Sequence, residues 1–162
     1  MRTIFYVLLA FVSISCKQTN SVEEKLIRDF EADPKIFIRQ GWKDGRYDQL
    51  LGFIESGDER FIKLTPRIRP YVDAASSEGL SIVLARALLH KPELVLGMVP
   101  EQIDIQELCT IPYIEETIEV ERSHLHAALK ALQRVKNPEL EKRKSECLIE
   151  FERIKKNIES LQ

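Results

Sequence analysis

The sequence predicts an all-α protein, and three observations predict it. The stretch from Gly79 to Leu89 reads G-L-S-I-V-L-A-R-A-L-L, with Leu80, Val83, Leu84, Ala87 and Leu88 at helical spacing and further apolar residues, Ile82 and Leu89, beside them. A helix apolar on several faces must be covered on most sides, so this one is expected at the centre, with Ala85 small enough to admit a close neighbour. Capping residues and first-turn prolines recur along the chain, and no pair of alternating runs is joined by a hairpin turn signal. The expectation is seven or eight short helices, arranged as stacked αα-hairpins or as an irregular orthogonal bundle. No repeat of fixed period is present.

Taken in order, Ser21 with Glu24 forms a capping box, and Val22, Leu26, Ile27 and Phe30 give a helical face ending near Asp33-Pro34. Pro34 suits the first turn of a second short helix carrying Ile36, Phe37 and Ile38, with a strand as the alternative reading; Gly41 and Gly45 bracket Trp42 and close it off. Tyr47, Leu50, Leu51, Phe53 and Ile54 mark a third helix stopped by Ser56-Gly57, a pair suited to a left-handed cap. Asp58 opens an element through Phe61, Ile62 and Leu64, which Pro66 and Pro70 should bend or break before Val72. Asp73 or Ser76 caps the central helix, which must stop about His90, ahead of Lys91-Pro92. Pro92 starts a helix with Leu94, Val95, Leu96 and Met98; Ile103, Ile105 and Leu108 read as a helical turn, with a short strand as the alternative.

A long helix is expected from about Glu115 to Val135, and Asn137-Pro138 restarts the chain into the last one. There Cys147, Phe151, Ile154, Ile158 and Leu161 alternate spacings of four and three, a packing seam, with Glu139/Arg143 and Glu152/Lys156 expected as ion pairs on the solvent side.

The N-terminus carries an address. Arg2 precedes an apolar run from Ile4 to Val12, followed by Ser13-Ile14-Ser15-Cys16. A basic start, a short apolar run and small residues before a cleavage point are the parts of an export signal, and the run falls well short of the roughly 20 residues that span a bilayer. The placement of Cys16 resembles the bacterial lipoprotein signal, in which a lipid is attached to the cysteine and cleavage occurs just before it. Ser13 stands where that family usually has Leu, so ordinary secretory cleavage after Ser15 is the alternative. Lys17 follows the cysteine, which in that family implies delivery to the outer membrane. The expected layout is a signal peptide over 1–15, a lipidated cysteine and tether over 16–20, and one helical domain over 21–162.

Removing residues 1–15 takes away Arg2 and no acid, leaving 23 basic side chains against 26 acidic ones, so no basic field for nucleic acid is present. Of three cysteines, Cys16 is assigned to lipid; Cys109 and Cys147 are then expected to pair, since an exported chain meets an oxidising compartment and Cys147 faces inward on the seam. The membrane is expected to be met through the lipid anchor alone.

No catalytic motif, metal-ligand spacing or glycine-rich phosphate loop is found, and no cofactor is expected. His124 and His126 are two apart on a helix and point to opposite sides, with His124 beside the apolar face and His126 solvated. Arg86 lies in the central helix and is expected to pair with an acid such as Asp73, Glu78 or Asp58, either structurally or as the floor of a cleft. Glu115, Glu116, Glu119 and Glu121 read as a solvated helix start, with a docking patch for a basic partner as the sharper alternative. Trp42 is read as a core plug in preference to an exposed anchor.

The segments I-E-S-G-D (Ile54 to Asp58), Y-V-D-A (Tyr71 to Ala74), A-R-A-L (Ala85 to Leu88) and K-P-E-L-V-L (Lys91 to Leu96), with E-G-L at Glu78 to Leu80 and with Cys109, Pro112 and Cys147, resemble small helical envelope proteins of proteobacteria. The resemblance spans roughly Ile54 to Cys147 and implies a fold and a compartment. The functional expectation is a non-enzymatic, periplasm-facing lipoprotein that binds a protein partner, with an immunity-type protein against a periplasmic toxin as one form. The alternative is a small enzyme acting on envelope material through Arg86, Asp73 and a histidine.

Overall fold

The helix starts marked in the sequence by Ser21, Pro34, Asp58, Asp73 and Pro92 are α-helix starts in the computed structural model, which describes residues 21–113 and 116–160, whereas Asn137-Pro138 opens a 3₁₀ turn, Pro138–Leu140, that leads into the last α-helix at Glu141. The export signal, Cys16, the tether, Glu115 and the last seam position Leu161 lie outside those residues. Among the described residues there are ten α-helices and no strand, so the class is all-α and the count exceeds the seven or eight expected.

The chain runs α1 (Val22–Ala32), α2 (Pro34–Asp44), α3 (Arg46–Glu55), α4 (Glu59–Ile62), α5 (Thr65–Ile68) and α6 (Ala74–Ala87), then α7 (Pro92–Leu96), α8 (Ile105–Leu108), α9 (Ile118–Gln133) and α10 (Glu141–Ser160). The extra elements come from the segment with two prolines: Pro66 sits in the first turn of α5 and Pro70 in a 3₁₀ turn, Arg69–Tyr71. Side chains of Ser21, Asp33, Asp58, Asp73, Asp104, Thr117 and Asn137 each accept a backbone N–H at the start of a helix or turn. Each such cap contributes about 1 kcal/mol. Gly45 and Gly57 have φ of 77° and 84°, where an L side chain is strained. At Gly57 a Cβ would also stand 2.5 Å from that of His90, which brings the α3–α4 turn against the end of α6.

α6 is the hub. It packs against α3, α7 and α8, and Leu80, Val83, Leu84, Ala85, Ala87 and Leu88 are all buried. Sequence neighbours pair at both ends of the chain, α1 with α2 and α9 with α10. The α9–α10 pair is tied to the α6–α7 turn by groups that periodicity does not mark: the Glu93 carboxylate accepts from the N–H groups of Lys136 and Asn137, and Arg134 donates to the Leu89 carbonyl. Arg143 donates to the carbonyls of Leu96 and Gly97 and is therefore not the partner of Glu139. The ion pairs that form along α10 are Lys142–Glu146, Lys144–Glu141 and Arg153–Glu150, because rotation of the helix onto its seam sets which charges meet. Among the described residues no helix is long and apolar enough to cross a membrane.

Candidate functional site

Of the residues singled out in the sequence, two are joined by a covalent bond. The Cys109 and Cys147 sulfurs are bonded as a disulfide, both residues buried, linking the end of α8 to α10 across a sequence separation of 38.

Asp73 and Arg86 do not meet. They occupy opposite ends of α6, about 20 Å apart at the helical rise of 1.5 Å per residue. Asp73 is the N-cap: its carboxylate accepts from the Ser76 hydroxyl and from the Ser76 N–H, and both hydrogen bonds hold it below the usual carboxylate range. Arg86 pairs instead with Glu55, at 3.2 Å, donates to the Pro112 carbonyl at 3.0 Å, and lies over the Tyr113 ring at 4.8 Å. Asp73, Glu78 and Asp58, the three acids expected to serve it, are thus all replaced. The enzyme alternative placed Arg86, Asp73 and a histidine in one cleft, and the length of α6 separates the first two.

The Arg86 side chain keeps 28% of its exposure, so its ion pair is worth little and its remaining contribution comes from the carbonyl and the aromatic face. Arg86→Met should lower the unfolding free energy by about 1 to 2 kcal/mol in urea titration, below the roughly 3 to 5 kcal/mol that breaking a fully buried pair entails. A loss of the larger size would show that the pair is dry in solution.

His124 is buried, at 4% exposure, with its ring edge against Tyr113 at a centroid distance of 5.3 Å. Neither ring nitrogen has a hydrogen-bond partner among the described residues. Burial, and then the charge of Arg86, push its pKa down to about 4. Arg86, Tyr113 and His124 therefore form one stack, with Glu55 paired to Arg86 beside it, and Tyr113 and Glu55 are the residues that sequence reading missed. Only the position of Tyr113 after Cys109 and Pro112, in a segment pinned by the disulfide, could have pointed to it. His126 is exposed, as its opposite position on α9 requires. Glu116 and Glu119 are exposed near the start of α9, where Thr117 supplies the cap.

An exposed aromatic surface and a groove lie toward the N-terminal end of α6. Trp42 is 48% exposed and is no core plug. Its ring packs at 4.3 Å on Tyr47, which is fully buried and fills the core position that Trp42 was expected to take. The Tyr47 hydroxyl donates to the Ser76 carbonyl at 3.4 Å, and burial pushes its pKa up to about 12. Tyr71, 45% exposed, stands just ahead of the Asp73 cap in the 3₁₀ turn that contacts α2. From this end a groove of about 550 Å³ runs along α6, with Ala74, Ser77, Glu78, Ser81 and Ile82 on one side. Its other wall is made by Glu107 and Thr110. Arg69 borders it, donating to the hydroxyls of Ser77 at 2.8 Å and Ser81 at 3.3 Å, while the Ser81 hydroxyl lies 3.0 Å from the Glu107 carboxylate.

Comparison with protein-family models, with curated proteins and with solved structures finds no significant match to this chain. Its own geometry defines an all-α domain, cross-linked between α8 and α10, with a groove along its central helix and exposed aromatic side chains toward the N-terminal end of that helix.

Proposed function

We propose that this protein is exported, anchored at the cell envelope by a lipid on Cys16 facing the periplasm at the outer membrane, and that it binds a protein partner without catalysis. The observation that carries the binding reading is the exposure of Trp42 and Tyr71 together at one end of α6. Large aromatic side chains left half in water beside a groove are the anchors that protein interfaces favour. The disulfide supports the compartment, because such bonds persist where the surroundings are oxidising. An immunity-type protein that neutralises a periplasmic toxin is the form of this reading we put forward, and a toxin gene beside its own would support it.

Two measurements test it. Feeding cells a clickable fatty acid should label the wild type and not Cys16→Ala; an unlabelled, soluble periplasmic chain would mean ordinary secretory cleavage. A photo-crosslinking amino acid placed at Trp42 or at Tyr71 should capture one and the same envelope or incoming protein, while the same group at Lys142 or Glu152, exposed on α10, should not. Identical products from all four positions, or none from any, would end the binding reading.

A further inference from the structure

The geometry points to the chemistry of the partner, an inference that rests on the binding reading above: the groove along α6 receives a lysine or arginine side chain of the partner protein. Glu78 is exposed at the groove and has no ion pair among the described residues. On the other wall, Glu107 accepts from the Ser81 hydroxyl and has no ion pair among the described residues. The nearby cation, Arg69, has its terminal nitrogens on Ser77 and Ser81, so the groove counts two carboxylates against one guanidinium and keeps a negative balance. Ala74 and Ile82 offer apolar surface for an aliphatic stem, and the Thr110 side chain is a further acceptor. A basic side chain matches this pattern of apolar stem and charged head. The serine hydroxyls on α6 already hold one guanidinium, that of Arg69. An acidic peptide, a lipid phosphate or a nucleic acid would instead meet Glu78 and Glu107 with like charge. Trp42 and Tyr71 at the same end of α6 favour a protein over a small amine, since they can cover the residues flanking the inserted side chain.

The test uses the processed full chain, isotope-labelled and held in detergent micelles, titrated with the capped tripeptides Ala-Arg-Ala, Ala-Lys-Ala, Ala-Gln-Ala and Ala-Glu-Ala. The arginine and lysine peptides should shift the amide signals of Ser77, Glu78, Ser81 and Glu107 at millimolar concentration, and the other two should not. The double variant Glu78→Gln, Glu107→Gln should weaken that binding at least about tenfold. Equal shifts with the glutamine peptide, or none in the groove with any peptide, would overturn the proposal. In cells, a crosslink from position 71 that the double variant leaves at full strength would overturn the groove alone. A chain that forms no crosslink even without the double variant would instead overturn the binding reading and this inference with it.

Discussion

Replacing Cys109 and Cys147 together by alanine is expected to lower the unfolding free energy by about 4 kcal/mol, the loop-closure entropy of a cross-link spanning 38 residues. Unfolding in guanidinium, followed by circular dichroism, measures it. Reduction of the wild type by dithiothreitol should reach the same value only after partial unfolding, because both cysteines are buried. The bond is the shortest link between α8, which packs on α6, and α10, so its loss should loosen the α9–α10 pair first. Hydrogen exchange would show this as faster exchange in α10 than in α3. A chain that tolerates both alanines with no loss, or that yields two free thiols when purified from the periplasm and denatured without reductant, would show that the bridge does not hold the fold in the cell.

Acidification from pH 7 to pH 5 should destabilise the protein by about 2 kcal/mol, and to pH 4 by about 3 kcal/mol, through His124 alone. The sign follows from the direction of the shift. In the unfolded chain the imidazole takes a proton near its ordinary pKa of 6.5, whereas in the folded protein burial and Arg86 delay protonation to about 4. The unfolded state therefore binds more protons across that window, and stability present above pH 6.5 is lost as the pH falls, levelling off below the folded value. Asp29, Asp58 and Glu93, held below their ordinary values by hydrogen bonds, lose their contribution only at the acid end of this range, so the slope between pH 6.5 and 5 belongs to the histidine. His124→Leu should flatten that slope. Arg86→Met should shift the His124 titration upward in a proton NMR experiment, because the nearby cation is the second cause of the depression. An unchanged titration in that variant would remove Arg86 from the account. The segment that would respond first is the one around Tyr113, which stands between the Arg86 guanidinium and the imidazole that takes up the proton.

The two effects bear on the proposed function in different ways. The Arg86–Tyr113–His124 stack ties the C-terminal end of α6 to α9, the aromatic surface proposed for the partner lies toward its N-terminal end, and the disulfide sits beside the groove, with Cys109 between Glu107 and Thr110 of its wall. Variants of Arg86 and His124 can therefore be read for stability and variants of Trp42 and Tyr71 for binding, with little overlap between ends of α6 about 20 Å apart, whereas loss of the disulfide should disturb the groove wall as well.

The sequence by itself determined the helices and most of their ends. A cap such as Asp73, a first-turn proline such as Pro92, or a left-handed glycine such as Gly57 acts on the backbone within a turn, so its effect does not wait for the rest of the molecule. The burial of α6 was legible for a related reason: a helix with Leu80, Val83, Leu84 and Leu88 on its surface must be covered, whatever covers it. The pairing of Cys109 with Cys147 followed from counting, since one other cysteine was already assigned. What covers each face, and which polar group answers which, was decided only by the tertiary structure. Arg86 had several acids within reach of a helical wheel, yet Glu55 and the Pro112 carbonyl, brought in by α3 and by the segment after the disulfide, are the groups that reach it. Trp42 and Tyr47 are both aromatic residues near the same turn, and periodicity does not rank them; the angle at which α2 meets α3 puts Tyr47 in the core and leaves Trp42 half in water. The groove exists because α8 packs beside α6 and stops short of covering Ser77 and Glu78, a matter of helix length and crossing between segments about 25 residues apart that a period of 3.6 does not encode.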